Sequence, residues 1–375
     1  MEPYRDGPHM LREIYAQPET IREVLRQHWG GEDGGIRFDR SSLSIDELRA
    51  CTRVMIAASG ASRHAGLMAQ VMIEELAGIP VSVEFASEFC NRRVAPGNGA
   101  IALFITQSGE TGDTAAAQRA AREAGYRTIA ITNVVDSTIS RQADAVIYTW
   151  AGVERAIPAT KSFTAQLAAI YLLALLFATG KGRCSRADLL RRVDELSDVA
   201  DKLESSLPQL DGDARAIASV LHSHNQWVLL GRGVHHPVAL EGTLKLMETA
   251  YITASAFPAG EFRHGPAAVL DGSQVVVGAV CHDRLDKASV DRYRKSLEVI
   301  DEIAAVTGIL LLIGSSGDSE CARKTSNVIQ VPATSELLSP LIETVALQLL
   351  AYHIAQFRGL DVDHPRNLVK SVQAD

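Results

Sequence analysis

Residues 106–114 read TQSGETGDT, placing hydroxyls at Thr106, Ser108 and Thr111 around the amide of Gln107. The apolar run 101–105 (IALFI) precedes this loop and a helical stretch follows it. A strand that empties into small polar residues before a helix leaves unpaired amide N–H groups and the positive end of the helix dipole facing the loop. That is an anion site. No Gly-Lys-Ser/Thr follows, so the loop is not a nucleotide P-loop. Hydroxyls without a lysine suit a small phosphomonoester such as a sugar phosphate. The competing reading is an ordinary strand–helix turn.

A second group of chemical side chains lies in 241–266 (EGTLKLMETAYITASAFPAGEFRHGP). Glu241, Lys245 and Glu248 are three or four apart and share one helix face. In isolation such a face reads as a solvated ion-pair row. His264 sits in a loop bounded by Gly and Pro, 260–266, where a lone histidine is usually a surface residue. Lys370 lies in an irregular tail and reads as solvated.

The elements that must position these groups alternate between strand and helix. Short β-branched runs at 54–57, 101–105, 128–133 and 145–150 are separated by helical stretches, as in parallel strands buried on both faces. The pattern returns at 227–231, 274–280, 309–314 and 327–331. Self-comparison shows a repeat. At one constant offset Gly60 matches Gly233, Leu67 matches Leu240, Glu75 matches Glu248 and Glu88-Phe89 matches Glu261-Phe262. At a slightly larger offset Ile147 matches Ile329 and Gln166-Leu167 matches Gln348-Leu349. The chain therefore reads as two duplicated α/β domains. The duplication is asymmetric: the strand at 101 ends in the hydroxyl loop, its counterpart at 274 in Cys281-His282-Asp283-Arg284.

The expected organisation is an N-terminal helical segment over 1–45, with a helix from 10 to 28 that has Pro18 near a break, and a first domain over 46–207 ending in a charged helix. A second domain covers 208–355 and a tail 356–375. The tail has the composition of segments that often lack order. The phosphate-type site is expected at the carboxyl ends of the first sheet's strands.

Composition narrows the function classes. Apolar residues make up 46% and charged residues 22% of 375, as in a globular protein. The net charge of −8 and the lack of a basic run argue against a nucleic-acid surface. Cys51, Cys90, Cys184, Cys281 and Cys321 form no CxxC pair and read as reduced, buried thiols of a cytosolic protein. The N-terminus MEPYRDGPH is polar, unlike a signal peptide. The run 165–178 (AQLAAIYLLALLFA) contains Gln166 and reads as a buried core helix, not a membrane span.

Beyond these readings, seven strings resemble one family: 59–67 (SGASRHAGL), 78–89 (GIPVSVEFASEF), 106–114, 160–175 (TKSFTAQLAAIYLLAL), 239–249 (ALEGTLKLMET), 260–266 (GEFRHGP) and 361–372 (DVDHPRNLVKSV). They are similar to the isomerase half of the glutamine:fructose-6-phosphate amidotransferases, the glucosamine-6-phosphate synthases. That half consists of two sugar isomerase (SIS) domains, each a three-layer α/β/α sandwich on a parallel sheet. The resemblance runs from about residue 11 to the end of the chain.

The resemblance implies roles residue by residue. Ser62, Thr106, Gln107, Ser108 and Thr111 would hold the sugar phosphate, and Glu154 would line the site. Glu248 would move a proton between C1 and C2, with Lys245 binding sugar hydroxyls and assisting. His264 would open the sugar ring, reaching the site from a neighbouring subunit, which implies a homodimer. Lys370 would form a Schiff base with the ketose. No cofactor is implied, and no HxxxH or Cys/His cluster for a metal is present. The chain departs from the family at Ala159, where a Ser is usual, at Thr106, and at Met247 and Arg263.

The synthases carry a glutaminase domain ahead of this half, and Met1 stands almost directly at its start. The expectation is a standalone enzyme similar to SIS-type glucosamine-6-phosphate deaminases, releasing ammonia and fructose 6-phosphate. The alternatives are a synthase fed by free ammonia or by a separate glutaminase partner, and a non-catalytic sugar-phosphate sensor.

Overall fold

The computed structural model describes residues 7–30 and 35–370, and these form two compact units. One comprises 19–154 and 161–197 with residues 369 and 370; the other comprises residues 7–18, 155–160 and 198–368.

The first unit is built on a six-stranded sheet in the order Arg40–Ser41, Ala145–Tyr148, Arg127–Thr132, Ala100–Thr106, Arg53–Ala58, Val81–Phe85. Every residue of the central strand Ala100–Thr106 is buried. One face carries Ala57, Ala102, Phe104 and Ala130 against Phe89, Ala117 and Ala121 of the helices Ala86–Phe89 and Gly112–Glu123. The other packs on Gly60–Ala77, where Gly66 lets that helix approach Ile56 and Ile105. Helix Lys161–Gly180 packs beside Gly60–Ala77. It is long and apolar enough to cross a membrane, yet 89% of its apolar window is buried inside the protein. This is the core helix expected for 165–178.

The second unit has a five-stranded parallel sheet in the order Thr253–Pro258, Gln226–Gly231, Val275–Ala279, Ile309–Ser315, Val328–Val331. Helices His235–Ala250 and Pro340–Phe357 pack on each other, and Tyr293, Leu297 and Ile300 of Lys287–Ala304 cover Val228, Val276 and Leu312. Strand order repeats that of the first unit position by position, apart from the extra edge strand Arg40–Ser41. The duplication read in the sequence is therefore a duplication of fold. In each sheet the second strand pairs outside the first, and the later strands extend the other way. This leaves a crevice at the carboxyl ends of the first and third strands.

Several expectations need correction. Strands Val81–Phe85 and Thr253–Pro258 do not appear as apolar runs because they are half-exposed edges. Arg40–Ser41 pairs antiparallel with Ala145–Tyr148, so the first sheet is mixed. The helical stretch expected over 10–28 breaks near Pro18 as the sequence indicated, into His9–Tyr15 and Gln17–His28; Pro18 sits in the first turn of the second, where its missing N–H costs little. The boundary expected at 207/208 falls inside helix Arg186–Leu221. Cys90 is only half-buried, unlike the other four cysteines. The tail is held by hydrogen bonds: Asp361 accepts from the amides of Asp363 and His364, and the Arg366 amide donates to the Tyr251 hydroxyl. Residues 371–375 of that tail lie outside the described residues.

The crest of the second sheet is filled by its own ions. His235 Nδ1 lies 3.0 Å from Glu343 Oε1, and Nε2 lies 3.5 Å from Glu336 Oε1. Arg292 donates to Glu336 as well. Beside them His282 stacks on Tyr293, whose hydroxyl donates to Asp318. Burial opposes the charge on His235, but Glu343 and Glu336 outweigh it and raise its pKa to about 10. A group whose folded pKa is raised contributes stability that is complete below its unfolded value, near 6.5, and is lost as pH rises through about 10. His235→Gln is therefore expected to lower unfolding free energy by about 3–5 kcal/mol at pH 6. The gap should shrink steadily toward about pH 10.5. Denaturant midpoints at both pH values check this, and a gap that does not change with pH contradicts it.

Candidate active site

The crevice of the first sheet is a pocket of about 130 Å³. Two helix starts meet there. Strand Arg53–Ala58 leads through Ser59 into Gly60–Ala77, and strand Ala100–Thr106 leads through the loop into Gly112–Glu123. Neither N-cap, Ser59 or Thr111, uses its side chain to cap its own helix. Both sets of terminal amides therefore lack the usual side-chain cap, and both dipoles favour negative charge.

Local chemistry explains the loop's shape. The Gly109 amide donates to Thr106 Oγ1 at 3.2 Å, the Glu110 amide donates to Ser108 Oγ at 3.1 Å, and the Thr106 and Thr111 hydroxyls are 3.3 Å apart. The Glu110 carboxylate turns away and accepts from the Thr138 amide. Gly109 has φ +70°, and a Cβ there would lie 2.0 Å from the Ser137 hydroxyl, so only glycine fits. Ser62 Oγ accepts from Gln166 Nε2 at 3.1 Å, which fixes the hydroxyl at the opposite helix start.

Ser62, Thr106, Gln107, Ser108 and Thr111 thus share one pocket, as the sequence suggested. The sequence reading missed Ser59 and Thr114, which line it too. Thr114 is 1% exposed, and its hydroxyl has no hydrogen-bond partner among the described residues. Its signal was available: Thr114 follows Thr111 by three residues and so shares its helix face.

Lys370 also lines this pocket. Its Nζ lies 2.6 Å from Glu154 Oε2, and the Glu154 side chain is fully buried. Ser162 donates to Glu154 twice, from its amide at 3.0 Å and its hydroxyl at 2.7 Å. Burial pushes the Glu154 carboxyl up, but the Lys370 ammonium and the Ser162 donors outweigh it and hold it below the ordinary range. The solvated Lys370 read from the tail's composition is corrected: its charge is taken up by a buried carboxylate.

The second unit holds the other group. Lys245 is fully buried on helix His235–Ala250, with Nζ 3.3 Å from Glu241 Oε1 and 2.7 Å from Glu248 Oε2. It also donates to the Ala159 carbonyl at 3.2 Å. The solvated ion-pair row is therefore wrong: the face lies inward, and a lysine there must be paired. Burial lowers the Lys245 pKa, yet Glu248 and Glu241 outweigh it and raise it, so the ammonium is a fixed charge. Glu241 is 1% exposed and acts as its inner counter-charge, a role the spacing alone did not assign. Glu248 is the accessible acid of the pair and opens onto a cavity of about 510 Å³ shared with Met247, Tyr251 and Arg366. His264 is exposed at the end of the turn Glu261–Arg263, its amide donating to the Glu261 carbonyl.

Known proteins share this architecture. The SIS domain model matches residues 47–176 and 220–356. The chain is 41% identical, over 98% of its length, to a glutamine–fructose-6-phosphate aminotransferase (isomerizing) of Chlorobaculum tepidum, and 37% identical to that of Clostridium tetani. It spans 58% and 59% of those relatives. Among solved structures, the C-terminal domain of glucosamine-fructose-6-phosphate aminotransferase from Francisella tularensis is 33% identical, with a TM-score of 0.88 over 96% of this chain and 99% of that one. A glucosamine-6-phosphate deaminase from Thermotoga maritima shares the fold, with a TM-score of 0.71 at 22% identity over 98% of this chain and 100% of that one. The chain belongs to the SIS domain family, carries two copies of that domain, and corresponds to the isomerase half of the glucosamine-fructose-6-phosphate aminotransferases.

Proposed function

We propose that this protein interconverts an amino-aldose phosphate and a ketose phosphate, taking glucosamine 6-phosphate and water to fructose 6-phosphate and ammonia. The reading rests on the Lys370 ammonium at a phosphate-sized pocket, paired with the buried Glu154. A phosphate placed by two helix starts and a row of hydroxyls leaves the sugar's reactive carbons to be met by an amine.

The chemistry balances with these groups. His264, reaching from a second copy of the chain, moves the ring proton so that the C1 aldehyde opens. Glu248 takes the C2 proton and returns it at C1, which converts the amino-aldose into a C2 ketimine. A placed base is worth about 10²–10⁴-fold for such a transfer. Lys245, held cationic, steadies the negative charge that develops on the enol oxygen. The Lys370 amine adds to C2, ammonia leaves with the transferred proton, and water cleaves the lysine Schiff base to the ketose and the free amine.

A second reading runs the same steps toward amination, with ammonia supplied in solution or by a glutaminase partner. The names of the relatives, glutamine–fructose-6-phosphate aminotransferases, favour it.

Purified protein is expected to release ammonia and fructose 6-phosphate from glucosamine 6-phosphate. Lys370→Ala should abolish turnover, and Glu248→Gln should reduce it about 10²–10⁴-fold. No release, with glucosamine 6-phosphate formed from fructose 6-phosphate and ammonium, would select the second reading. No turnover in either direction, with sugar phosphate still bound, would select a regulatory binder.

The anion site has its own test. Gly109→Ala is expected to weaken binding of inorganic phosphate at least about tenfold in calorimetry, since the loop must shift to clear Ser137. Unchanged affinity would show that the loop does not hold the anion.

A further inference from the structure

Helix His9–Tyr15 lies outside both SIS segments, yet it is firmly mounted. Met10 and Ile14 are fully buried, and the helix packs on Pro340–Phe357. The Tyr15 hydroxyl donates to Asp211 at 2.9 Å, and Asp211 also pairs with His353 at 2.6 Å. Just beyond the helix, Gln17 Nε2 donates to Gln348 Oε1 at 2.8 Å.

Two chain segments hang from this mount. From the tail, Asp363 accepts from the amides of His9 and Met10, each at 2.8 Å, with one carboxylate oxygen for each. From the face of the helix, Glu13 accepts from the amides of Arg155 and Ala156. The loop is closed by the Ile157 amide, which donates to the Asp363 carbonyl at 3.0 Å. Asp363 is 9% exposed and Glu13 is 6% exposed, so these are hydrogen bonds to charged acceptors away from water.

Both anchored segments continue directly into the proposed chemistry. Glu154 immediately precedes Arg155, the Ala159 carbonyl accepts from Lys245, and Lys370 follows Asp363 on an irregular tail. An irregular segment has no ladder to fix its course, so its few anchors set where its end residue can go. We propose that Glu13 and Asp363 are positioning residues: through helix His9–Tyr15 they clamp the strap 155–160 and the tail 361–368 together. Lys370 and Glu154 are thereby presented as a preformed pair. The inference rests on Lys370 acting as the amine nucleophile. Misplacement by about 1 Å can cost about 10²-fold in rate, which is why such a clamp matters to turnover and not only to stability.

The test uses the full chain with Glu13→Gln and Asp363→Asn, both close in shape to the native residues. Amide hydrogen exchange over 361–370 is measured together with borohydride trapping of a fructose 6-phosphate adduct on the Lys370 peptide. The clamp predicts tail exchange faster by about tenfold or more in either variant. Trapping and kcat should fall about 10–100-fold, with KM changing less and inorganic phosphate still bound. Unchanged exchange in both variants overturns the clamp, as does normal trapping with a loosened tail. If the unmutated protein traps nothing, the Schiff-base reading fails, and the exchange result alone decides the clamp: faster supports it, unchanged overturns it. Should Asp363→Asn not fold, Glu13→Gln decides on the same readouts.

Discussion

A fully buried carboxylate must be neutralised, and the first unit is arranged around how Glu154 meets that demand. Leaving such a group ionised and unpaired costs several kcal/mol. Ser162 supplies two hydrogen bonds, and Lys370 supplies the opposite charge. The cation comes from the tail, so the tail cannot leave without taking that charge from the acid. One electrostatic constraint thus helps to fix the end of an irregular segment and brings an amine to the pocket lined by the 106–111 loop.

The second repeat meets the same demand differently. Glu336 occupies the position equivalent to Glu154 when the later parts of the two repeats are aligned through Gln166 and Gln348. Its cations are internal: Arg292 and His235, the latter aligned with Ser62 through the earlier matches of the repeat. Where the first repeat has a hydroxyl and an open pocket, the second has an imidazole and a closed ion network. The crest of the second sheet is therefore self-neutralised. The two copies thus differ: one keeps the open hydroxyl loop, while the other carries on helix His235–Ala250 a buried Glu241–Lys245 pair with the partly exposed Glu248 beside it.

Much of this was legible in the chain. The strand–helix alternation and its repeat are read from apolar runs, because strands covered on both faces need them. The edge strands Val81–Phe85 and Thr253–Pro258 escaped because one side of each is exposed and the run is broken. Thr106, Gln107, Ser108 and Thr111 were legible as a polar loop because a connection between one strand and one helix is local, whereas Ser62, on another helix start, entered only through the family resemblance. Thr114 was overlooked although its spacing from Thr111 marks the same helix face; that its hydroxyl is buried without a partner among the described residues is visible only once the surroundings are known.

The duplicated α/β fold, the small-polar loop between a strand and a helix, and the shared helix face of Glu241, Lys245 and Glu248 were all settled by the order of residues. Each depends on periodicity or on contacts a few residues apart. Whether that face is wet or buried, which acid receives Lys370, and what holds the tail were settled only by folding. Those outcomes turn on desolvation and on partners far away in the chain: Ala159 for Lys245, Glu154 for Lys370, and the amides of His9 and Met10 for Asp363. Charge spacing along a chain limits which groups can pair, but burial sets whether they must.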